Sequence, residues 1–295
     1  MRNTKVTVTV CEQSGMVAEL ILPEGESVTP AVIVLGGSDG GIGYARSVAT
    51  RLAEQGYAAL AVAYFKEAGL PKKLIEIPLE YFTAGLEWLS QQQRVDPNRI
   101  GIYGVSKGAE AALLVASRHE NISAIVAVSP SDVVWEGINF QTKAPISSSW
   151  SENGKPLPFI PYDRTVRTRS VLEMYRRSRR SHGINPEAMI RVERLNGPVL
   201  FLSGAADGLW PSEEMADNAM ARIAKVDFAH EKRHVCYRGA GHAIFPLFRW
   251  RDRVMVTLLF KIFGGSGGKT RQARADGWRQ TLAFFENSLG VPRMK

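Results

Sequence analysis

A serine between two glycines, Gly104-Val105-Ser106-Lys107-Gly108, joins a short apolar run to an alanine-rich one. The apolar run, Arg99 to Tyr103, reads as a buried strand, and Ala109 to Ala116 reads as a helix. Gly-x-Ser-x-Gly alone is a weak string. Between a strand and a helix it describes a sharp turn that presents a serine Oγ to a pocket. Glycines at 104 and 108 leave that turn room, since a Cβ there would meet the neighbouring elements. Such a serine can act as a nucleophile, with the Lys107 amide placed to face a developing oxyanion. The competing reading is a glycine-rich structural turn without chemistry.

A serine nucleophile needs a base, and the base needs an orienting acid. Pro198 to Ser203 is an apolar run ended by Gly204, and Asp207 follows it, at the carboxyl end of an expected core strand. His234 to Tyr237 reads as a further strand, after which Gly239-Ala240-Gly241 leads to His242. The order Ser106, Asp207, His242 is the order an α/β-hydrolase fold uses, each group just after a strand. Asp207 could instead be a plain turn aspartate. Among the other histidines, His119 follows a helix, His182 sits in a basic loop, and His230 and His234 flank a charged segment. None combines position and glycine setting as His242 does.

The second oxyanion donor is expected from the loop after strand 31–35, Gly36-Gly37-Ser38-Asp39-Gly40-Gly41-Ile42-Gly43, through the amide of Ser38 or Asp39. A dinucleotide loop is the alternative there. It lacks the acidic partner after the next strand, where Phe65-Lys66 stands, and no Gly-Lys-Ser/Thr loop occurs. No cofactor is expected, and no Cys/His spacing supports a metal site.

These groups need a sheet to carry them. Residues 5–10 and 16–22 alternate as an antiparallel hairpin turning at Gln13-Ser14-Gly15. Strands 31–35, 57–63, 99–103 and 124–128 then alternate with helices 44–55, 74–92 and 108–118, the pattern of a mostly parallel central sheet flanked by helices. From 130 to 196 the alternation breaks, and this stretch is expected as a cap insertion over Ser106, with a helix beginning at Val171-Leu172-Glu173-Met174-Tyr175. Strand 198–203, helix 213–224, strand 234–238 and a last helix over 272–288 complete a single domain, 1–295. Gly264-Gly265-Ser266-Gly267-Gly268 reads as a flexible joint before that helix.

With 295 residues and 45% hydrophobic content the chain can bury one large core. No apolar run is long enough to span a membrane and no apolar leader opens the chain, so a cytoplasmic location is expected. Cys11 and Cys236 lie far apart, consistent with reduced, buried thiols. The formal charge of +8 is uneven: Arg164, Arg167, Arg169, Arg176, Arg177, Arg179 and Arg180 crowd one stretch. A solvated helix face is one reading; a rim attracting a polyanion such as coenzyme A is the other. Nucleic acid is not indicated, as no recognisable module or aromatic-basic platform is present.

The run Gly101-Ile102-Tyr103-Gly104-Val105-Ser106-Lys107-Gly108-Ala109-Glu110 resembles the nucleophile segment of the acyl-CoA thioesterase / bile-acid-CoA:amino-acid N-acyltransferase family. Gly56 to Tyr64, Tyr237 to His242, and the tail from Gly264 through Ala275-Asp276-Gly277-Trp278 to Phe285 are similar too. The Lys-Gly-Ala-Glu continuation and the Trp-containing tail separate this family from dienelactone hydrolases, the nearest relatives in pattern. The resemblance implies that Ser106, where conjugating transferases carry cysteine, marks a hydrolase of acyl thioesters. A carboxylesterase, a dienelactone-type hydrolase, an N-acyltransferase and a non-catalytic relative are the alternatives. Two departures stand out. About 30 residues precede the core, where animal members carry a β-sandwich domain, and Asp39 stands where a third small residue is expected.

Overall fold

The structure, a computed structural model, describes residues 7–10, 15–138, 146–165, 170–183 and 185–290. In chain order its first elements are β1 (Thr7–Val10), β2 (Val17–Leu22), β3 (Thr29–Leu35), α1 (Gly43–Ala53) and β4 (Ala58–Ala63). They are followed by β5 (Ile77–Pro78), α2 (Leu79–Ser90), β6 (Val95–Val105), α3 (Lys107–Ala116) and β7 (Ile122–Val128). Next come β8 (Trp150–Glu152), β9 (Lys155–Pro156) and α4 (Val171–His182). The chain continues through β10 (Val199–Gly204), α5 (Ser212–Ile223), β11 (Lys232–Tyr237), α6 (Trp250–Leu258), α7 (Phe260–Phe263) and α8 (Gly267–Leu289).

Apolar runs such as Ala31–Leu35 and Ala58–Ala63 are stable as strands only with both faces covered, and that requirement sets the layers. Eight strands form one sheet in the order β1-β2-β4-β3-β6-β7-β10-β11, parallel from β4 onward and antiparallel at β1 and β2. Alternate side chains go to opposite faces. Ile33, Ile102 and Phe201 pack with α2, α3 and α5, while Val34, Tyr103 and Leu202 pack with α1 and α8. This is an α/β-hydrolase fold. Ser106, Asp207 and His242 all follow carboxyl ends of parallel strands, where such sheets gather functional groups.

Several boundaries depart from the sequence reading. α2 starts at Leu79, because Leu74 bridges to Ile138 and β5 pairs with β8. The hairpin turn around Gln13 and Ser14, together with Cys11, lies outside the described residues. α6 carries no signal of amphipathicity: Trp250, Val254 and Leu258 face outward while Asp252 is buried. The glycine-rich stretch before the last helix is no flexible joint. α8 begins within it at Gly267, and Gly264 and Gly265, at φ of 70° and 72°, are packed against backbone on both sides.

Candidate active site

Ser106 follows β6 at φ 54° and ψ −119°, a left-handed-side conformation that a non-glycine residue rarely adopts. Three backbone bonds hold it there. Its amide donates to the Val128 carbonyl at 2.9 Å, and its carbonyl accepts from the Ala109 and Glu110 amides at 2.9 and 3.1 Å. The flanking glycines are required by contact: a Cβ on Gly104 would collide with the Gly108 carbonyl, and one on Gly108 with the Gly36 carbonyl. The Gly36-Gly37 turn therefore lies against the serine, tied down by Tyr64, whose hydroxyl donates to the Gly36 carbonyl at 2.6 Å.

Asp207 Oδ2 lies 2.8 Å from His242 Nδ1, with both side chains 2% exposed. Oδ2 also accepts from the Ser212 hydroxyl at 2.7 Å, and Oδ1 accepts from the Leu209 and Trp210 amides at 2.8 and 3.2 Å. A carboxylate so fixed sets both the tautomer and the plane of the imidazole. The ring is stacked on Phe263 at 5.8 Å and 11°, with Trp210 edge-on at 5.9 Å. Backbone fixes the loop as well: the His242 amide donates to the Phe263 carbonyl at 2.8 Å, and the Ser129 hydroxyl donates to the His242 carbonyl at 2.8 Å.

The loops bearing Asp207 and His242 are interlocked through glycine. A Cβ on Gly241 would strike the Gly264 carbonyl, and one on Gly265 the Gly241 amide. The Gly208 amide donates to the Phe263 carbonyl at 3.0 Å, and the Ser266 amide to the Gly239 carbonyl at 2.8 Å.

Ser106 and His242 face one cavity of about 560 Å³. No direct hydrogen bond joins Ser106 Oγ to the ring among the described residues, which is common before substrate binds. Ile138, Tyr162, Met174 and Tyr175 form one wall, from the stretch expected as a cap. Leu247, Met255 and Leu259 form another, which the sequence reading did not anticipate. Ser38 and Asp39 line the same cavity. Burial, aided by the like charge of Asp252, holds the Asp39 carboxyl above its ordinary range, against the opposing pull of its own amide, Lys66 and Arg249. Asp39 is exposed by area because the cavity it faces is open, yet protein surrounds it.

The side chain of Lys107 does work the sequence reading did not assign. Its ammonium lies 2.8 Å from Glu110 Oε2 and 2.7 Å from Ser149 Oγ, wholly buried. Glu110 Oε1 accepts from the Trp135 amide at 3.0 Å and Trp150 Nε1 at 2.8 Å. Burial pushes the ammonium down and the carboxyl up, while each partner's charge resists. The available signal was two charges set in an otherwise apolar helix.

The crowded arginines are mostly neutralised. Arg164 pairs with Glu136, Arg177 with Asp163 at 3.1 Å, Arg179 with Asp132 at 2.5 Å and Arg180 with Glu173 at 2.6 Å. Arg167 and Arg169 lie outside the described residues. Cys236 is half-buried, its thiol pushed up to about 11 by burial. No group of side chains arranged to hold a metal occurs among the described residues, and no helix there is long and apolar enough to cross a membrane.

Comparison with known proteins finds relatives among acyl-coenzyme A thioesterases. Mouse acyl-coenzyme A thioesterase 1 is 30% identical over 282 residues, covering 92% of this chain and 63% of the relative. Mouse peroxisomal succinyl-coenzyme A thioesterase is 31% identical over 284 residues, with coverages of 92% and 63%. The chain thus spans less than two thirds of the length of these relatives. Among solved structures, a Klebsiella pneumoniae protein assigned as a dienelactone hydrolase superposes with a TM-score of 0.59 at 19% identity, covering 96% and 99% of the two chains. An α/β hydrolase from a deep-sea metagenome library gives 0.58 at 14% identity, covering 99% and 100%. Residues 77–291 match the family described as BAAT / Acyl-CoA thioester hydrolase C terminal, and the chain belongs to that family.

Proposed function

We propose that this chain hydrolyses acyl thioesters, acyl-coenzyme A in particular, through Ser106, His242 and Asp207. The observation that carries the reading is the buried 2.8 Å contact between Asp207 Oδ2 and His242 Nδ1, on one cavity with a serine held at φ 54°. With Nδ1 engaged by the acid, Nε2 is left to take the Ser106 proton as Oγ attacks the thioester carbonyl. The C–S bond then breaks, the histidine returns the proton to the departing sulfur, and an acyl-serine remains. Water activated by the same histidine releases the acid.

The Lys107 amide opens α3 and so has no acceptor within the helix, which suits it to the oxyanion. The amide of Ser38 or Asp39, on the early loop that borders the same cavity, is the second donor, each donor being worth ~3 kcal/mol in the transition state. The chain is read as one domain, with 130–196 as its cap. A reducing compartment such as the cytoplasm suits the free Cys236 thiol.

Release of free thiol from a panel of acyl-CoAs, beside matched p-nitrophenyl esters, tests the assignment. Thioester hydrolysis lost in a folded Ser106→Ala protein is the expected result. Turnover retained in that variant would sink the triad. Activity on oxygen esters alone moves the reading to an esterase, and amide formation with an added amino acid moves it to an acyltransferase.

A further inference from the structure

A second cavity, of about 820 Å³, shares Leu247 and Phe263 with the first. Its composition is unlike that of the acyl-sized cavity. Arg253, Arg271 and Arg274 line it together with Trp278, and no aspartate or glutamate does so among the described residues. Among the described residues none of the three arginines makes an ion pair, in contrast with the neutralised arginines of the 164–180 stretch.

Two of the three are anchored to the loop that follows the histidine. Arg274 donates to the Phe245 and Ala243 carbonyls at 3.1 and 2.9 Å, and Arg253 to the Leu247 carbonyl at 3.0 Å. Arg274 is held below its ordinary range by burial, with the like charges of Arg253 and Arg271 adding to the effect. Arg253 and Arg271 are exposed and Arg274 is half-buried, so the three present an open positive rim to an incoming anion, and their planar forks suit phosphate oxygens. The first residue of α8, Gly267, opens into the same space, so a 23-residue helix adds its positive end.

Position selects which part of a substrate would come here. The histidine must protonate the departing sulfur, so the leaving group lies on the histidine's side of the reacting carbon. The wall between the cavities is Phe263, the ring stacked on His242. We propose that this arginine-lined cavity receives the phosphates of the leaving group, an adenosine bearing a 3′-phosphate and a 5′-diphosphate, with Trp278 available to its base. The assignment rests on the thioesterase reading for the word leaving, and on the cavity alone for the phosphates.

The test uses folded Ser106→Ala protein, full length, titrated with adenosine 3′,5′-bisphosphate and with adenosine by calorimetry. The bisphosphate is expected to bind and adenosine to bind far more weakly, with affinity falling as salt is raised. Adding Arg253→Gln and Arg271→Gln should weaken bisphosphate binding at least tenfold. Arg279→Gln removes a charge from the same helix where it pairs with Asp276, outside the cavity, and serves as the control. In the serine-bearing protein the two cavity substitutions should cut the kcat/KM preference for acyl-CoA over acyl-pantetheine by tenfold or more. Bisphosphate affinity unmoved by Arg253→Gln/Arg271→Gln overturns the proposal. Failure of the thioesterase reading shows separately, as absent thiol release by a protein whose bisphosphate binding remains arginine-dependent.

Discussion

The Lys107 ammonium meets the Glu110 carboxylate at 2.8 Å, one helical turn beyond the serine, with neither side chain reaching solvent. The pair does not point at the cavity chemistry. It ties the turn that carries Ser106 to Ser149, Trp135 and Trp150, so the helix after Ser106 and the 135–150 segment are joined by charge-assisted hydrogen bonds.

Removing one member leaves the other charged and buried. Glu110→Leu and Lys107→Met are each expected to lower stability by about 3–5 kcal/mol, whereas the double variant should fall short of their sum by about 1–3 kcal/mol. Urea denaturation of the four proteins measures the coupling. Additive losses would show that the two charges do not support each other.

Backbone strain at Ser106 gives a second expectation. Glycine has no Cβ to object to φ 54°, so Ser106→Gly should be more stable than Ser106→Ala by about 1 kcal/mol, although both lack the hydroxyl. Equal denaturation midpoints for the two would mean that the turn carries no strain.

The glycines before α8 separate contact from flexibility. Gly265→Ala drives a methyl into the Gly241 backbone and should cost about 3 kcal/mol or more while also displacing His242. Gly268→Ala meets only Ser266 Oγ, at 3.9 Å, and gains up to about 1 kcal/mol as a better helix former. Thermal melts and turnover of both variants check this, and similar behaviour of the two would argue for a slack linker.

Asp39 supplies a pH dependence with a definite sign. Its carboxyl is raised in the folded chain, first by burial and then by Asp252, so the native state binds the proton more tightly than the unfolded state does. Its contribution to stability is therefore greatest below the unfolded value, about 3.9, and is lost as pH rises to the folded value. Asp39→Asn should be stabilised relative to the parent near neutral pH, with the difference closing toward pH of about 3.5. A difference that is flat with pH, or that grows on acidification, contradicts this assignment.

The parallel strands, and the positions of the candidate residues Ser106, Asp207 and His242 just beyond their ends, were legible because strands buried on both faces leave uninterrupted apolar runs closed by turns. The wall built by α6 was not. Trp250, Val254 and Leu258 turn outward, so the segment has no inward apolar period to read. The arginines misdirected attention for a related reason. Crowding along the chain marked 164–180, but partners such as Glu136 and Asp132 arrive from elsewhere in the sequence. The unpaired arginines are spread over 253–274 on different elements, and only the fold assembles them. Lys107 and Glu110 sat in plain view in the helix after Ser106, three residues apart, and only their burial shows what they hold.

The bare-backbone contacts among Gly241, Gly264 and Gly265 carry a consequence for descent. Segments more than twenty residues apart in the chain fit together only while each keeps its glycine, so none can drift alone. Copies of this domain should therefore inherit the acid loop, the histidine loop and the lead-in to the last helix as one unit of variation, while the cavity walls around them diverge freely.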